Sequence, residues 1–135
     1  MQIAVKAIRE NLPDLLGFIE KACQQYKLSR QASLDVRLAV EEACVNLIKH
    51  GYAGLPPGII EISFQRRDQQ VQITMIDFGH EFDPTTFHLP ERASEWDQRP
   101  VGGLGVFLIR QLMDEVRYTS KPGQGNCLEM VKNIS

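Results

Sequence analysis

The sequence lacks the features that mark a membrane or secreted protein. It contains no apolar run of about 18 residues, the length that a spanning helix needs, and no charged-then-apolar leader at its start. Its three cysteines are an odd number at wide spacing, which gives no disulfide framework. We therefore expect free, mostly buried thiols in a reducing compartment, and a cytoplasmic location without a membrane partner.

Two further absences narrow the function. The three histidines and the lack of any CxxC pair give no obvious zinc site. The formal net charge of -2 gives no broad basic field, so direct binding to nucleic acid is not expected. What remains is ordinary for one compact domain over residues 1–135, with 43% hydrophobic and 24% charged residues and no internal repeat.

Apolar periodicity predicts the order of helices and strands. The predicted elements are a strand over 2–8, a helix starting at Asn11–Pro13 with Asn11 as a candidate cap, a helix over 34–52 after a polar break at 29–33, a hairpin of 59–64 with 71–76, a helix over 106–114, and strands over 115–120 and 127–134. Strands that follow one another pair mostly as hairpins, and the helices must cover a sheet face. The fold class is therefore α+β, a two-layer sandwich of a mixed, mostly antiparallel sheet covered on one face by three helices.

A long segment, 78–101, shows no period and is interrupted by Pro84, Pro90 and Pro100. A loop of that length in a compact domain is either functional or disordered.

Glu42 and Asn46 lie one helical turn apart in the second predicted helix and project side by side. A carboxylate can take a proton from a hydroxyl, and a carboxamide oxygen can hold a hard cation such as Mg2+. A helical projection places both nearly opposite the apolar stripe of Val36, Val40, Ala43 and Leu47. Alone, the pair is more simply explained as a solvated helix face.

Two glycine-containing stretches follow. Asp77-Phe78-Gly79 ends an apolar strand, where a carboxylate could accept a hydrogen bond from an exocyclic amine and Gly79 could let a flat ring approach the backbone. The cluster over 102–105 directly precedes an apolar helix, whose free N–H groups suit a phosphate. Singly, each is more simply explained as a turn or a hinge.

In this order, the three stretches resemble the nucleotide-binding boxes of the gyrase, histidine-kinase and MutL ATPases. The chain looks most like the single-domain anti-sigma factor serine kinases of the RsbW and SpoIIAB type. The resemblance runs over nearly the whole chain. It is carried by Glu41-Glu42-Ala43-Cys44-Val45-Asn46, His50-Gly51-Tyr52, Phe82-Asp83-Pro84, Gly102-Gly103-Leu104-Gly105 and the helix over 108–116.

The resemblance implies a role for each matching residue. Glu42 would act as the catalytic base, and Asn46 would coordinate the Mg2+ that bridges the ATP phosphates. Asp77 would bind the adenine amino group, with Gly79 beside the ring. The remaining nucleotide contacts would come from Lys49, Arg99, Gly103, Leu104 and Gly105, and 78–101 would form a lid over the ATP.

The implied function is that of a serine/threonine protein kinase that regulates transcription. It would bind a sigma factor and phosphorylate a small anti-anti-sigma (STAS-type) protein, and because such relatives often pair, a homodimer is open. Two residues depart from the family pattern: Glu81 replaces a frequent glycine, and Asn126-Cys127 stands where many relatives have a threonine. These departures favour an alternative, a catalytically weak ATP-binding module that sequesters a protein partner. The bare ATPase domain of a histidine kinase is a third, less favoured class.

Overall fold

The computed structural model describes residues 1–81 and 103–134. Its elements are β1 (Gln2–Lys6), a 3-10 turn (Arg9–Asn11), α1 (Leu12–Gln25), α2 (Arg30–Asn46) continued by a π-helical segment (Leu47–Gly51), β2 (Ile59–Arg67), β3 (Gln70–Asp77), α3 (Gly103–Leu112), β4 (Glu115–Lys121) and β5 (Gly125–Asn133). The types and order of the predicted helices and strands are confirmed.

The five described strands form one sheet in the order β1-β2-β3-β5-β4, and every described pair is antiparallel. On β2, buried Ile60, Ile62 and Phe64 alternate with more exposed residues, as a sheet with one wet face requires. The buried side chains of β2 and β3 join those of the three helices in one core. The α+β two-layer prediction is therefore confirmed.

The start of α2 was predicted wrongly. The polar residues after Ser29 suggested a break, but α2 already begins at Arg30. The Ser29 hydroxyl accepts a hydrogen bond from the backbone N–H of Ala32 at 3.1 Å, which satisfies one of the free donors of the first turn. The far end also differs, because after Asn46 the helix widens into a π-helical segment, a feature frequently found at functional sites.

The other helix starts also need correction. Asn11 occupies the cap position of α1, but its side chain makes no capping bond and instead donates to the carbonyl of Lys6 at 2.9 Å. The third helix begins at Gly103 and not at Val106, so most of the glycine cluster lies inside the first turn.

Lys132 on β5 holds two helices together. Its ammonium group donates to the carbonyl of Leu112, the last residue of α3, at 2.7 Å, and lies 3.1 Å from the carboxylate of Asp35 on α2. A cation at a helix C-terminus is favoured by the helix dipole. This contact helps to hold α3 against α2.

The cysteines are unpaired, as predicted: Cys23 and Cys44 are buried and Cys127 is partly buried. Burial raises the pKa of the Cys44 thiol to about 12, so this group stays protonated and packs as a small apolar side chain. Among the described residues, no helix is long and apolar enough to cross a membrane.

Candidate functional site

A cleft that is partly open to solvent lies between the sheet, α2 and α3. Most of its lining residues are apolar, and the polar ones include Asn46, Asp77 and His80. The full lining is Ala43, Asn46, Leu47, Gly51, Met75, Asp77, His80, Ile109, Tyr118 and Leu128. A mostly apolar concavity with a few polar groups is typical of a site for a flat organic ligand.

The floor of the cleft is a row of side chains across three strands. Leu128 on β5 pairs with Met75 on β3 and with Tyr118 on β4, and all three residues line the cleft. Side chains two residues further along a strand point to the same face. The polar residues Asp77 and Asn126 form the next such row, at the rim of the cleft.

The Asp77 carboxylate is held by protein donors at that rim. Its Oδ1 atom accepts hydrogen bonds from the backbone N–H of Gly79 at 2.8 Å and from the amide of Asn126 at 2.9 Å. Burial raises the pKa of this carboxyl group above its ordinary value, although the two hydrogen bonds oppose that rise. A partly desolvated carboxylate in a cleft is a good acceptor for a ligand N–H group.

The turn that follows Asp77 packs against the end of the α2–π segment. The backbone N–H of His80 donates to the carbonyl of Gly51 at 2.6 Å, and a Cβ atom on Gly79 would come within 2.2 Å of the same oxygen. Gly79 was expected to make room for a ring. The structure shows a different reason for a glycine here, because the backbone at Gly79 passes too close to the carbonyl of Gly51 to leave room for a side chain.

Tyr52 holds this turn in place through its hydroxyl group. The sequence did not predict it as a site residue. Its buried hydroxyl accepts from the backbone N–H of Phe78 at 2.9 Å and donates to the carbonyl of Ile59 at 3.1 Å. Burial raises the pKa of this hydroxyl. The sequence contained a signal for it only within the His50-Gly51-Tyr52 stretch, because the partners of a tyrosine hydroxyl depend on tertiary packing.

Asn46 lies on the wall of the cleft and shares it with Asp77. Residues of the apolar stripe, Ala43 and Leu47, flank it there. The prediction that Asn46 lies nearly opposite the stripe is therefore wrong, because its side chain borders the stripe. Asn46 is also the last residue before the helix widens.

The structure does not bring every predicted residue to this cleft. Glu42 is partly buried on α2, one turn before Asn46, and is not among the lining residues. Lys49 is exposed and lines a separate groove with Arg9 and Leu12. Arg99 and the greater part of the predicted lid, from residue 82 on, lie outside the described residues.

The phosphate-binding prediction concerns the backbone of Gly103, Leu104 and Gly105. These residues form the first turn of α3, where N–H groups have no partner within the helix. The same helix contributes Ile109 to the cleft and packs against α2. Its N-terminal turn therefore belongs to an element of the cleft wall.

A bound Mg2+ fits the donors present only if the ligand supplies most of the coordination. Across residues 1–81 and 103–134, no group of three His, Cys, Asp or Glu side chains could hold a metal ion. Mg2+ commonly takes few protein oxygens, with water and substrate phosphates filling the other positions. The carboxamide oxygen of Asn46 could be such a single protein ligand.

Comparison with known sequences places residues 5–132 in the family described as histidine kinase-like ATPase domain. A serine-protein kinase RsbW from Staphylococcus aureus is 37% identical over 66% of this chain and 59% of that protein. A second RsbW, from Staphylococcus epidermidis, is 39% identical over 74% of this chain and 65% of its own length. An anti-sigma F factor from Pasteuria penetrans is 31% identical over 74% of this chain and 67% of its own length. The chain thus matches only part of each relative.

Solved structures agree on the fold. The RsbU and RsbW domains of a Mycobacterium tuberculosis protein align with 99% of this chain at a TM-score of 0.68 and 15% identity, covering 32% of that structure. The SiaB–SiaC complex of Pseudomonas aeruginosa contains a chain that aligns with 96% of this protein at a TM-score of 0.60 and 14% identity. The alignment covers 88% of the chain in the complex. At these identities the likeness concerns the fold alone.

Proposed function

Because the chain belongs to the histidine kinase-like ATPase family, in its branch of RsbW-type serine-protein kinases and anti-sigma F factors, we propose that it is an ATP-dependent protein-serine kinase. It binds a sigma factor and phosphorylates a small anti-anti-sigma protein, and so regulates transcription. The observation that carries this proposal is the Asp77 carboxylate, held by two donors through Oδ1 at the rim of an apolar cleft that Asn46 shares.

The base of the nucleotide binds at the Asp77 rim of the cleft. Adenine carries an exocyclic amine, which donates to the Asp77 carboxylate, and its flat apolar faces lie over the floor of Met75 and Leu128. The carboxylate is a suitable acceptor because protein donors occupy Oδ1 and leave the Oδ2 atom for the ligand. This end of the cleft therefore favours an adenine nucleotide.

The phosphates lie toward α3 and Asn46. The N–H groups of the first turn, including those of Gly103 and Gly105, bind phosphate oxygens, since a helix N-terminus favours negative charge. Asn46 would hold Mg2+, and the bound ion would neutralise negative charge on the phosphates during transfer. Because phosphoryl transfer mainly requires positioning and charge stabilisation, these groups account for most of the chemistry that the protein must perform.

Glu42 is the base in this mechanism. Its carboxylate, one turn from Asn46 on α2, accepts the proton from the serine hydroxyl of the partner as the phosphoryl group is transferred. A general base of this kind contributes roughly 100- to 10,000-fold in rate. Serine-protein kinase and anti-sigma F factor are the names of relatives that this chain matches in part, and they support the choice of a protein hydroxyl as acceptor.

One observation favours a second candidate, an ATP-binding module that sequesters a partner with little catalysis. Glu42 is not among the residues that line the cleft in the described part of the chain. A module that only captures its partner would need the nucleotide site but no base. The two candidates agree on ATP binding and differ in phosphate transfer.

A transfer assay separates the two candidates. The purified protein is incubated with γ-labelled ATP, Mg2+ and an extract of its host, and labelled proteins are resolved by size. One small labelled protein, absent when Glu42→Ala replaces the wild type, supports the kinase. Tight ATP binding without any labelled protein supports the sequestering module, and a failure to bind ATP contradicts both.

A further inference from the structure

The amide side chain of Asn126 on β5 is buried, with 4% of the residue exposed. Its amide nitrogen donates toward Asp77 Oδ1 at 2.9 Å, the carbonyl of Gly79 at 3.0 Å and the carbonyl of His80 at 3.3 Å. Its Oδ1 atom accepts from the hydroxyl of Ser120 on β4 at 2.7 Å. One side chain thus joins two strands to the turn at the rim of the cleft.

The orientation of this amide follows from its partners. A carboxylate oxygen and two carbonyl oxygens face one end of the side chain, and all three can only accept. The NH2 group must point toward them, because the reversed amide would bring oxygen against oxygen. The hydroxyl of Ser120 then donates to the remaining oxygen and holds the amide in this orientation.

The bond from Asn126 determines which oxygen of Asp77 remains for a ligand. Oδ1 already accepts from Asn126 and from the N–H of Gly79. The carboxylate therefore cannot rotate away from this position without losing two hydrogen bonds to a charged group. Oδ2 is then the oxygen that remains to accept from a ligand.

We propose that Asn126 is the positioning residue that makes this cleft selective for an amino-bearing purine. It acts through Asp77, which it orients so that Oδ2 accepts from the exocyclic amine of adenine. A purine that carries a carbonyl in place of that amine meets a fixed carboxylate oxygen and is repelled. This inference rests on the proposed nucleotide site and adds to it the residue that sets its selectivity.

An asparagine suits this role because its side-chain amide nitrogen carries two hydrogens that can be donated. Its NH2 group offers two N–H donors to the carboxylate and to the carbonyls of the turn. A hydroxyl has one hydrogen and could hold only one of these acceptors, and a carboxylate has none. The selectivity should therefore depend on the amide and not merely on a side chain of that size.

The test compares ADP with IDP, whose base has a carbonyl in place of the amine. Both are titrated by calorimetry into the wild type, Asn126→Asp and Asn126→Ala, and thermal unfolding is recorded for each protein. Asn133→Ala is the matched control, because Asn133 lies on the same strand, is exposed, and uses its side chain to accept a hydrogen bond from Gln70, away from the rim of the cleft. If Asn126→Ala does not fold, the milder Ser120→Ala, which removes only the donor to the Asn126 amide oxygen, still provides the measurement.

We expect the wild type and Asn133→Ala to prefer ADP over IDP, and the Asn126 variants to lose roughly 10-fold or more of that preference. Ser120→Ala should show a smaller loss in the same direction. If both nucleotides weaken by the same factor, the preference is retained, Asn126 is only structural and this inference is overturned while the proposed function stands. If the wild type binds neither nucleotide, the proposed function fails and the inference with it.

Discussion

The backbone of Gly79 lies against the carbonyl group of Gly51, so closely that a Cβ atom on Gly79 would come within 2.2 Å of that oxygen. The adjacent residue, His80, donates its N–H to the same carbonyl at 2.6 Å. This contact joins the turn that carries Asp77 to the segment that follows Asn46. Backbone atoms therefore fix the position of the Asp77 turn relative to the segment that follows Asn46.

Replacing Gly79 by alanine should damage both the fold and the site. The added methyl group collides with backbone atoms, which cannot move aside as a side chain can, and overpacking of this kind costs about 1–3 kcal/mol. We expect Gly79→Ala to lower the free energy of unfolding in urea and to weaken ATP binding.

Gly17→Ala is the matched control for that substitution. Gly17 lies inside α1, and a Cβ atom there would meet nothing within 4 Å. Alanine is the better helix former, so this variant should gain about 0.4–1 kcal/mol and bind ATP normally. Equal behaviour of the two variants would contradict the role given to the Gly79–Gly51 contact.

Asp77→Asn should separate ligand binding from stability. Burying the carboxylate raises its pKa, which means that the folded protein bears a cost for keeping the charge. The amide of the variant removes that cost, so we expect an unchanged or higher melting temperature. It also replaces a charged acceptor for the ligand, so we expect roughly 10-fold or greater loss of ATP affinity.

The control for this variant is Asp68→Asn, in the β2–β3 turn at the other end of the hairpin. Asp68 has a φ of 53°, a conformation that asparagine tolerates equally well. This variant should bind ATP as the wild type does. A loss of affinity in Asp77→Asn that is matched by a fall in melting temperature would indicate a structural role instead.

The pH dependence of stability provides an independent test of Asp77. Its folded pKa lies above the ordinary value of 3.8, so the folded state holds the proton more tightly than the unfolded state. The contribution of Asp77 to stability is therefore fully present below pH 3.8 and is lost as the pH rises through the folded pKa. The unfolding free energy of Asp77→Asn relative to the wild type should thus rise with pH across this window. A difference that falls with pH in urea titrations would contradict the burial of this charge.

Glu42→Ala should affect chemistry and leave binding almost intact. The proposed base contacts the acceptor hydroxyl and not the nucleotide, so the rate of phosphate transfer should fall roughly 100- to 10,000-fold while the Kd for ATP changes little. Glu41→Ala is the neighbouring control, since Glu41 is also partly buried on α2. Transfer that continues unchanged in Glu42→Ala removes this residue from the mechanism.

Local patterns were sufficient to predict the layers of the fold. The alternation of Ile60, Ile62 and Phe64 reflects burial on one side of a sheet, and the hairpin of β2 and β3 followed from it. Helix starts were less predictable. Serine can stand in a loop or cap a helix, and only the bond from Ala32 to Ser29 distinguishes the two.

The candidate site was predictable in its residue types but not in its contacts. Asp77 and Asn46 were expected in one site, and both line the cleft. The bond between Asp77 and Asn126 joins residues 49 apart in the chain, and it depends on the register of β3 with β5. No local period contains that register, so Asn126 entered the sequence analysis only as a departure from the family pattern.

The most direct test of the central claim is a calorimetric titration of the wild-type protein with ATP and, separately, with GTP, both in the presence of Mg2+. We expect saturable binding of one ATP per chain and roughly 10-fold or greater weakening of binding for GTP, because the carbonyl of guanine faces the Asp77 carboxylate. Absence of ATP binding, or equal affinity for the two nucleotides, would contradict it.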